Sequence, residues 1–321
     1  MNGEHASDVP IPMRTALVFP GQGSQSVGML RDFYDAFAVA RSTFAEASHA
    51  LGLDIERICF DEHDGRLDHT EFTQPALLTA EIAVTRVLSQ QFGVRADYYG
   101  GHSLGEYTAL TAAGVIPLAH AVRIVRERGA LMQEAVPAGE GAMVAVIAEK
   151  IGDVDRRHWA RPESMSLANH NSPDQVVFSG RASAVREGTA LLATQLAGRE
   201  HRIVALNVSA PFHSSLMRVV HGPFRRVLEA AASEFDAPRA SVVTSNFTGG
   251  FHVPEVVAVI DALVCQTSAT VEWVANMKRL SGVAARIFEV GPAATLRGFF
   301  KSMGRSIVSI TSLRAAARAF S

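Results

Sequence analysis

Ser103 lies in Gly101-His102-Ser103-Leu104-Gly105, a fit to the pattern G-x-S-x-G, with an apolar stretch before it and an alanine-rich helical pattern after it. That order places the serine on a sharp strand-to-helix turn. Side chains larger than hydrogen at the flanking positions would collide with neighbouring backbone, so glycine stands on both sides. The helix that follows lends partial positive charge to an oxyanion developing beside the hydroxyl. This is the chemistry of a nucleophilic serine. The neighbouring His102 points elsewhere on so tight an elbow and reads as structural.

A serine nucleophile needs a base within hydrogen-bond reach, and histidine has the suitable proton affinity. Of twelve histidines, His213 is the leading candidate, in Val208-Ser-Ala-Pro-Phe-His-Ser-Ser-Leu-Met217. A strand over residues 202–207 ends just before it, Pro211 breaks regularity, and Ser214 can cap a following helix. The alternative is an ordinary loop histidine. His5, His49, His63, His69, His158 and His252 lie in polar stretches and read as solvated. His120 sits early in a helix, and His170 and His221 are ambiguous.

Arg128 is the third residue that stands out. In a helix over residues 118–135, Ala121, Ile124, Val125, Leu131 and Met132 form an apolar stripe, and Arg128 falls on it. A buried guanidinium requires a partner. One candidate is an internal salt bridge. The other is the carboxylate of a substrate, held bidentately. A substrate without that carboxylate would then leave a buried charge unpaired, at a cost of about 3–5 kcal/mol.

The elements that must position these groups follow an α/β rhythm. Residues 15–19 form a strand stopped by Pro20-Gly-Gln-Gly-Ser24, a glycine-rich turn of the kind found at the ligand edge of an open α/β sheet. Helical patterns fill residues 28–92, the clearest over 75–91; residues 97–101 read as a buried strand and 104–113 as a helix. After Pro137 the order becomes strand 142–148, helix 151–159, strands 164–168 and 175–179, helix 182–197 and strand 202–207. That β-α-β-β-α-β order is ferredoxin-like. Strands near 241–245, 286–289 and 306–310 complete the chain. The fold class is therefore α/β, with residues 14–137 and 208–321 forming a large subdomain. Residues 138–207 form an inserted ferredoxin-like small one, and residues 1–13 a flexible tail.

The 321 residues are 48% hydrophobic and 19% charged with a net charge of −2, which suits a globule with a sizeable core and gives no sign of nucleic-acid binding. No apolar run is long enough for a membrane span, and the polar N-terminus lacks a secretory layout. Cys59 and Cys265 have no metal-like spacing and indicate a reducing compartment, so the expectation is a cytoplasmic protein with no metal.

Taken together, the motifs resemble those of malonyl-CoA:acyl carrier protein transacylases. Phe19-Pro-Gly-Gln-Gly-Ser-Gln25, Thr73-Gln-Pro-Ala-Leu77, Gly101–Glu106, Arg128-Gly-Ala-Leu-Met-Gln133, Asn169-His-Asn-Ser-Pro-Asp-Gln175, Ala210-Pro-Phe-His213 and Glu289-Val-Gly-Pro292 occur in the family's order, and cover nearly everything after residue 14. The resemblance implies an α/β-hydrolase-like large subdomain, Ser103 as nucleophile and His213 as base. It implies the backbone N–H groups of Leu104 and Gln22 as oxyanion donors and Arg128 as the binder of the malonyl carboxylate. It further implies the Gln266 carbonyl as the group orienting the histidine, and no cofactor beyond the coenzyme A thioester and the carrier's phosphopantetheine. Leu104 and Phe212 match the malonyl-selective pattern. The chain departs from the family at Thr267-Ser-Ala-Thr270, where relatives often carry a more apolar, proline-containing stretch.

Malonyl-CoA and an acyl carrier protein are the partners so implied. Carrier proteins are usually acidic, and residues 291–321 hold Arg297, Lys301, Arg305, Arg314 and Arg318 with no Asp or Glu. That stretch is either a docking surface or a solvated face. Two other functions compete: an acyl hydrolase of the same fold that clears stalled chains from carrier proteins, and a non-catalytic docking protein. A buried Arg128 disfavours the first, and a strained elbow the second.

Overall fold

The computed structural model describes residues 13–137, 139–153, 164–208 and 210–320. Two four-stranded sheets organise them. The strands are β1 (Thr15–Phe19), β2 (Tyr98–Gly101), β3 (Gly141–Ala148), β4 (Met165–Ser172), β5 (Gln175–Arg181), β6 (His201–Ala205), β7 (Arg286–Val290) and β8 (Val308–Ile310).

The first sheet has the order β2-β1-β7-β8 with every pair parallel. Parallel strands need crossovers, and helices supply them on both faces. The central β1 is buried at all five positions, as a strand covered on both faces must be. Its register with β2 pairs Phe19 with Gly101, so both chains leave the sheet at the same edge. The glycine-rich turn after β1 and the elbow after β2 therefore meet at the carboxyl end of the sheet, where open α/β folds bind ligands.

The second sheet is antiparallel with the order β4-β5-β3-β6, the ferredoxin-like arrangement. Its period-2 alternation decides what each face touches. Val144 and Val146 pack with Val185 and Leu192 of the helix Ala182–Gln195. Met143 and Ala145, on the opposite face, pack with Met132, Phe212 and Met217 of the larger part. An isolated bridge between Asn169 and Val271 ties the two parts together. The expected helix over 151–159 begins as a short 3-10 turn, Ile151–Asp153, and the rest lies outside the described residues. Residues 1–12 of the expected tail lie outside them too.

Two elements differ from expectation. The helix expected from residue 75 runs Thr70–Gln91, with Pro75 inside it. Proline favours a first-turn position, which made it look like a start. Upstream, however, the Thr73 hydroxyl donates to the His69 carbonyl at 3.0 Å, and Phe72 and Thr73 donate backbone bonds to the same carbonyl, closing a turn before the proline. The strand expected at 241–245 is reduced to single bridges, Tyr99 with Val243 and Thr244 with Phe251. Pairing stops because the next backbone groups serve the elbow: the Ser245 carbonyl accepts from Asn276 and the Asn246 N–H donates to Glu106.

Candidate active site

Ser103 occupies φ 53°, ψ −103°, a conformation that costs a non-glycine residue about 1–3 kcal/mol. The surroundings hold it there. The Asn246 side chain accepts from the Ser103 N–H at 2.6 Å and donates to the Gly101 carbonyl at 2.8 Å, spanning the turn. Gly105 lies so close to β1 that an added Cβ would stand 2.2 Å from the Phe19 carbonyl oxygen, so no larger residue fits. The elbow's residue types follow from this crowding.

His213 also has a positive φ, 56°; among the described residues only Leu30 and Lys150 join it and Ser103 as non-glycines in that region. Its Nε2 lies 2.7 Å from the Ser103 Oγ, and its Nδ1 lies 2.8 Å from the Gln266 carbonyl oxygen. A carbonyl only accepts, so Nδ1 carries the ring proton and Nε2 is free to accept from the serine. Burial pushes the His213 proton affinity down to about 3, and the Arg128 cation pushes the same way; the Gln266 carbonyl opposes both. The imidazole is thus neutral at physiological pH, the state a base requires. The departure at 267–270 supports this geometry: the Thr267 carbonyl accepts from the His213 N–H, and Ser268 bonds His221.

Arg128 is 2% exposed and lies beside the same hydroxyl. It projects from the helix Leu118–Glu134. Nη2 donates to the Ser103 Oγ at 3.2 Å and to the Gln266 Oε1 at 3.0 Å, and Nη1 to the Gln74 Oε1 at 2.9 Å. The guanidinium also sits 5.2 Å from the centroid of the Tyr107 ring. These partners are all neutral, and among the described residues no carboxylate forms an ion pair with Arg128. The internal salt bridge is therefore not what fills this site. Burial lowers its proton affinity, and the nearby Tyr107 hydroxyl and Glu106 carboxylate oppose that shift.

Ser103, His213 and Arg128 open onto one cavity of about 290 Å³. Leu104, Phe212 and Met132 contribute its apolar wall, and Asn171 and Gln175 reach it from the small sheet. Asn169 and Asn171, two positions apart on β4, both face it. Gln22 lines the mouth, its side chain donating to Thr70. Neither the Gln22 N–H nor the Leu104 N–H has an acceptor among the described residues. His102, adjacent to the serine, lines the same cavity and meets the Asn171 Oδ1 at 2.8 Å.

Four residues of this site escaped sequence reasoning. Gln74 and Asn246 are neutral amides in stretches with no charge pattern to mark them, although Gln74 stands inside one of the quoted motifs. Glu106 and His252 form a buried pair at 2.8 Å. His252, expected in solvent from its polar neighbours, is only 5% exposed, because it donates to that carboxylate. A signal for Glu106 was available: it follows Ser103 by three residues, one turn along the same helix.

Comparison with known proteins agrees with the geometry. A family model for the acyl transferase domain matches residues 16–286. The malonyl CoA-acyl carrier protein transacylase of Escherichia coli (strain K12) is 41% identical over 293 residues, covering 89% of this chain and 91% of the relative. The structure of the Coxiella burnetii malonyl CoA-acyl carrier protein transacylase superposes with a TM-score of 0.88 at 34% identity, over 96% of this chain and 97% of that one. A malonyl-transacylase solved in complex with a type II polyketide synthase acyl carrier protein gives 0.87 at 36% identity, over 96% and 99%. This chain belongs to the malonyl-CoA:acyl carrier protein transacylase family of acyltransferases.

Proposed function

We propose that this chain transfers a malonyl group from malonyl-CoA to the phosphopantetheine thiol of an acyl carrier protein, in fatty-acid or polyketide biosynthesis, through a malonyl-Ser103 ester. The observation that carries this reading is the meeting, in one cavity, of Ser103, His213 and a buried Arg128 that forms no ion pair among the described residues.

The cycle is ping-pong. His213 Nε2 takes the Ser103 proton as Oγ attacks the thioester carbonyl. The N–H groups of Leu104 and Gln22 receive the oxyanion. The tetrahedral adduct collapses, the C–S bond breaks, and coenzyme A leaves as a thiol with the proton from His213. In the second half the carrier's thiol gives its proton to His213 and attacks the ester, and the proton returns to the Ser103 oxygen. Nothing else is consumed. The Gln266 carbonyl keeps the ring oriented throughout, and Arg128 binds the malonyl carboxylate bidentately. Leu104 and Phe212, both on the cavity wall, set the room available to the acyl group. The same Arg128 counts against the hydrolase reading, since an uncharged acyl chain would leave the guanidinium unpaired.

The reading takes residues 14–137 and 208–321 as the large subdomain and 138–207 as the small one, which the two separate sheets support. It places the protein in the cytoplasm, where both partners are made; no described helix is long and apolar enough to cross a membrane. For the carrier, the helix Thr295–Ser302 is the favoured docking element. Its Leu296 and Phe299 line the cavity while Arg297 and Lys301 are exposed beside it. Arg305 is partly exposed, and its Nη2 is held by the carbonyls of Ala284 and Ala285. Intact-mass measurement after mixing with malonyl-CoA tests the central step. The wild type gains one malonyl group and Ser103→Ala gains none; an adduct on Ser103→Ala refutes the nucleophile assignment.

A further inference from the structure

Glu106 is 0% exposed, pairs with His252 and takes no part in the cycle above. One oxygen accepts from His252 Nε2 at 2.8 Å. The other accepts from Gln266 Nε2 at 2.7 Å and from the Asn246 N–H at 3.0 Å. Gln266 is the residue in contact with all three members of the site. Its main-chain carbonyl faces His213, its Oε1 accepts from Arg128, and its Nε2 donates to the Ser103 carbonyl at 2.9 Å as well as to Glu106.

A primary amide has an oxygen that accepts and a nitrogen that donates, and the two differ little in size. Left alone, it can turn over. Here a turn would point an NH2 group at a guanidinium, donor against donor, and would leave the Gln266 oxygen against the Glu106 carboxylate, acceptor against acceptor. A carboxylate oxygen that already accepts from the Asn246 N–H can only accept from Gln266 as well, so the Glu106 carboxylate permits one orientation of the amide and penalises the other with a hydrogen bond lost. That orientation is the one that gives Arg128 an acceptor. The same contact leaves the His213 partner untouched, because that partner is main chain.

We propose that Glu106 is a positioning residue for substrate selection: its carboxylate fixes the polarity of the Gln266 side-chain amide, and the amide in turn holds the Arg128 guanidinium where a malonyl carboxylate can meet it. The inference rests on the assignment of Arg128 to that carboxylate. It acts through Gln266, which predicts a specific pattern of coupling.

The test is a double-mutant cycle with Glu106→Gln and Gln266→Met, both near-isosteric, with thermal melting to establish that each variant folds. The readout is the ratio of kcat/KM for self-acylation by malonyl-CoA to that by acetyl-CoA, which does not respond to a general loss of active protein. Replacing a charged acceptor by a neutral one should lower the ratio about fivefold in the wild-type background. In the Gln266→Met background there is no amide to orient, and Glu106→Gln should change the ratio by less than about twofold. A fivefold fall in both backgrounds would show that Glu106 works by another route, and no fall in either would show that it selects nothing. Both results overturn the proposal. Ser103→Ala, run alongside, separates this outcome from failure of the underlying reading: if that variant is still acylated, the function is wrong; if it is not, only the role of Glu106 is at issue.

Discussion

Replacing Arg128 by methionine separates a residue kept for substrate from one kept for the fold. The two roles predict opposite signs of stability change. Arg128 is 2% exposed, and among the described residues its hydrogen-bond partners are all neutral, with the Glu106 carboxylate acting on it only through space. Desolvating a cation costs several kcal/mol, which hydrogen bonds to two amides and a hydroxyl only partly offset. A side chain of similar length without the charge is therefore expected to stabilise the free protein by about 1 kcal/mol, a rise in Tm of about 2–4 °C. Activity should move the other way. Leaving a malonyl carboxylate without its cation costs about 3–5 kcal/mol, so kcat/KM for malonyl self-acylation should fall by roughly two to four orders of magnitude. Acetyl-CoA, which has no carboxylate, should acylate the variant at least as well as the wild type. Competition between the two thioesters, read by intact mass, gives the ratio directly, and calorimetry gives Tm. A drop in Tm of several degrees with the malonyl preference preserved would mean that the guanidinium serves the fold, and the reasoning would be refuted.

Two further outcomes follow. Because burial and Arg128 hold His213 near 3, the rate of single-turnover acylation should stay flat as pH falls from 8 to about 5, and Arg128→Met, with the second of those causes removed, should show its acid limb at higher pH; an acid limb near 6.5 in the wild type would contradict the buried neutral base. The same shift makes the native state bind its proton later than the unfolded chain does, so this histidine's contribution to stability is present above about 6.5 and is lost as pH falls toward 3. Charge reversal at Arg297 and Lys301 should raise the KM for the carrier protein several-fold and leave self-acylation from malonyl-CoA unchanged; an unchanged carrier KM would remove the helix Thr295–Ser302 from the docking surface.

What the sequence disclosed was what local rules control. The elbow was legible because crowding at Gly105 and the positive φ of Ser103 demand particular residue types in consecutive positions. Arg128 was legible because helical periodicity put a charge on an apolar stripe, and it is indeed buried. The ferredoxin-like order survived because alternation in β3 separates its two faces cleanly. The failures share a cause. His252 looked solvated because its sequence neighbours are polar, yet a carboxylate 146 positions away buries it. Residues 241–245 looked like a strand because Val242, Val243 and Thr244 are β-branched, yet the chain there bends to deliver Asn246 to the elbow. Arg305 looked like surface charge, yet it ties down two carbonyls. Long-range polar pairing leaves no periodic trace in a single sequence.

The position of Arg128 also bears on where discrimination appears in the reaction. In the free protein its charge is one of the causes that depress the His213 proton affinity, after burial. On the proposed reading, a malonyl carboxylate seated on the guanidinium would cancel much of that charge, and the imidazole would become a better proton acceptor when the correct acyl group is in place. An acetyl group leaves the charge uncancelled and the base weaker. Proton removal from Ser103 is part of the transition state for acylation, so this difference lowers the barrier for malonyl beyond anything gained in binding. An arginine placed farther from the histidine would grip the carboxylate equally well and select only through affinity. If Arg128 holds the carboxylate as proposed, its contact with the Ser103 hydroxyl at 3.2 Å would let selection reach the chemical step as well.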